Sequence, residues 1–285
     1  MAALNIPGPA SAVRGLLVRQ VRGVFNDREK GETPVVPSNE ALFEVDSPIR
    51  MVHADVVAMM VGGMRALLLQ MLHPAALQGV LDHSDFREDV QGRLRRTARF
   101  IALTTYGHRD EARKAIDRVN AIHARVTGTM PDGRTYSATE PRVLAWVHLA
   151  EATSFLEAYL AYGDPGMPPA AQDRYFEQSA VVAEMLGASP LPRNRLEAQS
   201  LMADMRGELE GSLAAREVAS FLLNGERERR SGAVARTLAV AAVDLLPPFA
   251  RILLGLKRPG ASAWPQMIGT RAMAEAVRWA FAGTR

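Results

Sequence analysis

Six histidines carry much of the chemistry this chain can offer, because it contains no cysteine. The lack of thiols removes thiolate metal sites, iron–sulfur clusters, covalently attached c-type haem and cysteine nucleophiles. A metal would therefore be held by nitrogen or oxygen donors. His123 is the most informative of the six. In RDEARKAIDRVNAIHARV, residues Ile116, Val119, Ile122 and Val126 recur at helical spacing, and His123 falls among them. Such a histidine is either a core residue satisfied by one hydrogen bond or an axial ligand to a flat apolar cofactor between helices, the way b-type haem is held. His148, in AWVHLAE, is followed three residues on by Glu151, a spacing at which the two share a helix face and could orient a ring or approach a metal. The order is the reverse of the glutamate-then-histidine pairs of di-iron bundles, and no HExxH string occurs, so di-iron carboxylate and zincin readings are disfavoured.

A second concentration of chemistry lies in DHSDFREDVQGRLRRTARF, residues 82–100. In a helix starting near Val90, Arg93, Arg96, Thr97, Phe100 and Ile101 fall on one face. Two readings compete. Asp82, Asp85, Glu88 and Asp89 pair with the arginines and favour the helix start, or the face is a cationic wall for a bound anion such as haem propionates, or for an oxidant at the iron. His83 belongs to the same stretch. Arg65, a cation inside the apolar run Val56–Leu72, joins His123 and His148 among the candidate cofactor-binding residues. Phosphate-cradling GxGxxG and Walker A strings and a GxSxG nucleophile elbow are absent.

The elements that would position these residues are helices almost throughout. The predicted order is an amphipathic N-terminal helix (Val13, Leu16, Leu17, Val21, Phe25), a polar link, and an apolar helix from about Asp55 to Leu72 stopped by His73-Pro74. A short piece AALQGVLD follows, then helices over about 90–106 and 109–126, and an irregular insert MPDGRTYSAT. A long helix begins after Thr139-Glu140-Pro141, with further helices over about 169–186, 195–209, 213–223, 233–245 and 267–281. The class is all-α: a single multi-helix globular bundle with small irregular inserts, residues 51–285, preceded by a helical arm over residues 1–50. Gly62-Gly63 inside the apolar helix allows close helix packing or the approach of a flat ligand.

Composition narrows the functions further. The chain has 285 residues, 48% hydrophobic and 23% charged, with net charge +3 and 6% aromatics. Neither the charge nor the aromatic content supports nucleic-acid binding. The N-terminus lacks a secretory hydrophobic region, and Val56–Leu72 is interrupted by Arg65 and Gln70, so no integral membrane span is expected. A cytoplasmic location is the expectation, and a homodimer stays open.

The string LLLQMLHPAALQGVLDHSDFREDVQGRLRRTARF, with YGHRDEARKAIDRVNAIHARVTGTMPDGRTYSATEPRVLAWVHLAEATSFLEAY after it, closely resembles the bacterial branch of the rubber oxygenase (latex-clearing protein) catalytic-domain family. That family also holds the fungal oxygenase of the mycophenolic acid pathway, which cleaves a prenyl side chain. The resemblance spans about residues 50–215 and is most specific in GRLRRT, VNAIHARV and DGRTYSATEP. It implies an all-helical fold with non-covalent b-type haem, whose ligand histidine matches His123 and whose distal arginine and threonine match Arg93 and Thr97. Where rubber oxygenases place a lysine able to cap the iron, this chain has Arg96, which stays protonated and makes a poor ligand. The resemblance thus implies an oxygenase using O₂ or peroxide on a small hydrophobic, isoprenoid-like molecule. Arg93, Arg96 or His83 would polarise the oxidant, Thr97 would order a water, and Met59, Met60, Leu68 and Phe100 would line the substrate pocket. The competing class is a non-catalytic helical carrier of haem or an apolar metabolite.

Overall fold

Proline and capping side chains decide where the helices begin. In the computed structural model, which describes residues 33–84, 89–224, 232–260 and 264–282, α1 (Pro48–Ala54) stops because Asp55 is extended. The same Asp55 caps α2 (Val56–Gln70) by accepting the Ala58 N–H at 2.9 Å. His73-Pro74 then ends one helix run and starts the next, α3 (Pro74–His83). Asp89 accepts the Gly92 N–H at 2.8 Å and caps α4 (Val90–Tyr106), while the His108 ring accepts the Asp110 N–H and opens α5 (Arg109–His123).

The long helix α6 (Pro141–Tyr162) is apolar on nearly every side and therefore takes the centre of the bundle. Its main partner is α2, and Gly62 is what lets them approach. A Cβ there would lie 2.8 Å from the Phe155 ring and 2.9 Å from the Ser154 carbonyl. Of the two sequence readings for this glycine, close packing is the one realised. Helix α7 (Pro169–Met185) covers α1 and α6, and α4 packs along α5. The remaining elements are α8 (Arg195–Asp204) with a 3₁₀ turn to Glu208, α9 (Leu213–Asn224), α10 (Gly232–Leu245), α11 (Pro248–Leu254) and α12 (Trp264–Ala282). Helices α10 and α12 close the far side of α2. The all-α class is as expected, with one small sheet.

The second strand of that sheet lies within the MPDGRTYSAT stretch expected to be irregular, and the first directly precedes it. Strands β1 (Thr127–Thr129) and β2 (Thr135–Ser137) pair antiparallel with Gly128 opposite Tyr136, and Gly133 makes the turn at φ 88°. Tyr136 is buried and donates to Asp82 Oδ2 at 2.5 Å, tying the hairpin to α3. The described part of the first fifty residues is bound to the helices: the Ser38 N–H donates to the Tyr106 carbonyl and the Arg109 N–H to the Glu40 carbonyl. The amphipathic helix expected over Val13–Phe25 lies outside the described residues. No single helix among those described is long and apolar enough to cross a membrane.

Candidate active site

The packing leaves a cavity of about 540 Å³ between α3, α4, α5, α6 and α7, inside the range of small-molecule sites. Most of its wall is apolar, from residues such as Leu67, Phe100, Ile101, Val119, Val126 and Phe155. His83, Arg93, Arg96, Thr97, His123 and His148 are also among its lining residues. These candidates come from four helices and were read from separate strings of sequence, yet the fold brings them to one space.

His123 is the last residue of α5, where the helix runs into the hairpin. Burial, and the neighbouring Arg93 guanidinium, hold its imidazole below the ordinary 6.5, so it is neutral at neutral pH. Its Nδ1 is buried without a hydrogen-bond partner among the described residues. A buried polar atom with nothing to satisfy it calls for an explanation, and a neutral imidazole at a cavity wall is the form that ligates a metal. His148 is also neutral, driven down to about 4 by burial, and its Nε2 is likewise unpartnered.

Arg93 is the electrostatic hinge of the site. Burial lowers its pKa first, Arg96 lowers it further, and Glu151 opposes both. The same guanidinium acts on His123 and on Glu151, so it stands between them. Arg96 reaches outward, its side chain 62% exposed, and donates to Asp89 Oδ2 at 3.1 Å. Arg96 is thus paired to an acid, as one reading of the charged stretch expects, while Arg93 lines the cavity. Asp85 and Glu88 lie outside the described residues. His83 donates from Nε2 to the Thr127 carbonyl at 3.0 Å, stacks edge-on against Tyr136, and so is fixed by the hairpin. In that tautomer its Nδ1 is an acceptor.

Arg65 stands apart. It is buried, but it is not among the residues lining the cavity. Its Nε donates to the Leu245 carbonyl at 2.8 Å and its Nη1 to Ser154 Oγ at 2.7 Å, which joins α2 to α10 and α6. Its place on the α2 face turned away from the cavity explains this. The neighbours Met59, Met60 and Leu68 likewise serve the core, and α2 presents Leu67 and Gln70, followed by its C-cap Met71, to the cavity instead. Phe100 does line it.

Four polar residues of the wall have no motif to announce them. His53 (α1), Gln70 (α2), Thr105 (α4) and Tyr175 (α7) meet Glu151 of α6 around one end of the cavity. Gln70 Nε2 donates to Glu151 Oε1 at 3.1 Å, and His53 Nδ1 lies 2.9 Å from Thr105 Oγ1. Burial pushes Glu151 up to about 7, against the opposing Gln70 hydrogen bond and Arg93 charge. Burial drives His53 down to about 3. Gln70 and Tyr175 each sit within apolar helical pattern, and only their polarity at a buried position could have singled them out.

The residues present fit a flat, apolar, anion-bearing cofactor: a neutral imidazole with an unpartnered Nδ1, an apolar wall, and the Arg93 guanidinium near the imidazole, with Arg96 also on the wall. Among the described residues no cluster of three or more histidine, aspartate or glutamate side chains could hold a metal ion. Fold and cavity together define, among the described residues, a helical domain with an internal cavity of small-molecule size. The chain belongs to the family described as ER-bound oxygenase mpaB/B'/rubber oxygenase, catalytic domain, whose sequence profile matches residues 50–279. No curated protein and no solved structure matches it.

Proposed function

We propose that this chain is a b-type haem-dependent oxygenase that uses O₂ or peroxide to oxidise a small hydrophobic, isoprenoid-like molecule. The observation that carries the proposal is His123: a neutral imidazole with a buried, unpartnered Nδ1 at the wall of an apolar cavity, in a chain of an oxygenase family. When bound, haem supplies an iron centre able to pass electrons to the oxidant.

The protein's own groups do the rest. His123 holds the cofactor, and His148 adds a second neutral imidazole to the wall. Arg93, desolvated and facing the cavity, is the donor placed to stabilise negative charge developing on the oxidant, because a buried guanidinium needs no reorganisation to do so. Arg96 is oriented by Asp89 toward the rim, where it suits a carboxylate of the cofactor. Thr97 offers a hydroxyl for ordering water. His83, with Nε2 committed to Thr127, offers an acceptor at Nδ1. The apolar wall admits hydrocarbon and excludes bulk water.

The test is the Soret band of the full chain expressed with haem supply. Wild type is expected to show it and His123→Ala to lose most of it while keeping its helical circular dichroism. A wild-type protein without a Soret band sinks the cofactor, and full haem in His123→Ala sinks the ligand assignment. Arg93→Leu should keep the haem and lose turnover of an alkene substrate by about 10²-fold or more, the scale for removing one charge-stabilising donor.

A further inference from the structure

The end of the cavity formed by His53, Glu151 and Tyr175 has no task in the oxygenase reading. Its groups are buried, polar and largely unanswered. Tyr175 is fully buried, yet its hydroxyl has no hydrogen-bond partner among the described residues. His53 is held at Nδ1 by Thr105, and its other nitrogen, Nε2, is buried and equally unpartnered. The rings of His53 and Tyr175 meet edge-to-face, 6.0 Å between centroids, so these two free atoms belong to one locale. Glu151 is close enough for its charge to act on the Tyr175 phenol. It accepts a hydrogen bond from Gln70 at one oxygen, and a carboxylate has room for more.

Buried polar groups are satisfied in native proteins, and leaving them bare costs free energy. Two bare atoms on two different helices, beside a carboxyl group on a third and on residues lining one cavity, are best explained by a ligand atom that completes them. The chemistry of that atom is constrained. Tyr175 can donate, Glu151 can accept, and a neutral His53 can do either according to its tautomer. Their shared burial penalises charge on anything placed there. A hydroxyl, which both donates and accepts, matches all of them. A carboxylate faces Glu151, and a bare hydrocarbon leaves the Tyr175 hydroxyl and His53 Nε2 unmet.

We propose that Tyr175, His53 and Glu151 form a subsite for a neutral hydroxyl head group, so that the substrate is an amphipathic molecule, an isoprenoid alcohol or phenol, and not a pure hydrocarbon. Gln70 and Thr105 are positioning residues that fix Glu151 and His53. The inference rests on the oxygenase reading for what happens at the hydrocarbon tail, but head-group binding itself needs no haem.

The experiment is calorimetric titration of the purified full chain with four probes of one skeleton: geraniol, geranylamine, geranic acid and 2,6-dimethylocta-2,6-diene. Geraniol is expected to bind about tenfold or more tightly than any of the other three, the scale of one or two well-made hydrogen bonds. Tyr175→Phe, which keeps the ring and removes only the free hydroxyl, should cut that preference by several-fold while leaving diene binding unchanged. Haem content, read by the Soret band in the same samples, should not alter the geraniol preference. Equal binding of alcohol and diene overturns the subsite, as does a preference untouched in Tyr175→Phe. Loss of geraniol binding in proportion to haem loading also overturns it, by showing that the cofactor takes this end. A protein that never holds haem but keeps the alcohol preference defeats the oxygenase reading and leaves the subsite standing.

Discussion

Arg65 separates two views of a buried cation, and its replacement by methionine decides between them. If it serves the architecture, its loss should be felt in stability and not in the cavity. Two hydrogen bonds from a charged donor are lost, to the Leu245 carbonyl and Ser154 hydroxyl, each about 1.5–3 kcal/mol. Against that, burial has lowered the guanidinium from 12.5 to about 10, a penalty of about 3 kcal/mol at ~1.4 kcal/mol per unit that the apolar side chain does not incur. The net is a loss of about 1.5 kcal/mol, which in a domain this size lowers the Tm by roughly 4 °C. Methionine fills most of the volume, so a large cavity penalty is avoided. The assay is thermal melting followed in parallel by far-ultraviolet circular dichroism and by the Soret band. Both should shift together, with the 25 °C Soret spectrum unchanged. A variant with wild-type melting and an altered Soret band would refute the architectural role and return Arg65 to the cofactor.

Two further predictions concern the helices around the cavity. His53 and His148, at about 3 and about 4 against an ordinary 6.5, are protonated far more readily in the unfolded chain, so their contribution to stability is complete above pH 6.5 and is lost as pH falls, at about 1.4 kcal/mol per unit each. Glu151, raised from 4.5 to about 7, works the other way and regains about 1.4 kcal/mol per unit between pH 7 and 4.5. Urea unfolding at pH 6.5 and 5.5 should therefore show a loss of about one histidine's worth in wild type and about twice that in Glu151→Gln, to which His73 and His123, also held low, add in the same direction; equal losses in the two proteins would contradict the assignment. Separately, Gly62→Ala should destabilise by about 1–3 kcal/mol, because its Cβ would meet the backbone of α6. Gly63→Ala, whose Cβ meets only the Phe155 ring at 3.9 Å, should be neutral or stabilising in the same melting assay.

Local signals determined much of this protein on their own. Apolar periodicity, prolines at first turns and the caps Asp55 and Asp89 are properties of neighbouring residues, so the helices and the all-α class were legible in the sequence. The same is true of Arg93, Thr97 and His123, whose helical spacing marked polar groups on apolar faces. The hairpin over Thr127–Ser137 was not legible, because three-residue strands carry too little alternation and depend on Tyr136 reaching Asp82 of a different helix. Tertiary structure alone decided which face of α2 turns inward, sending Arg65 to Leu245 and Ser154 and Gln70 to Glu151. It also gathered His53, Glu151 and Tyr175, from positions more than a hundred residues apart at the extremes, around one end of a cavity. Sequence spacing reports only what shares a helix face. Which faces meet is set by packing between helices, and there the unanswered polar atoms of this site first become visible.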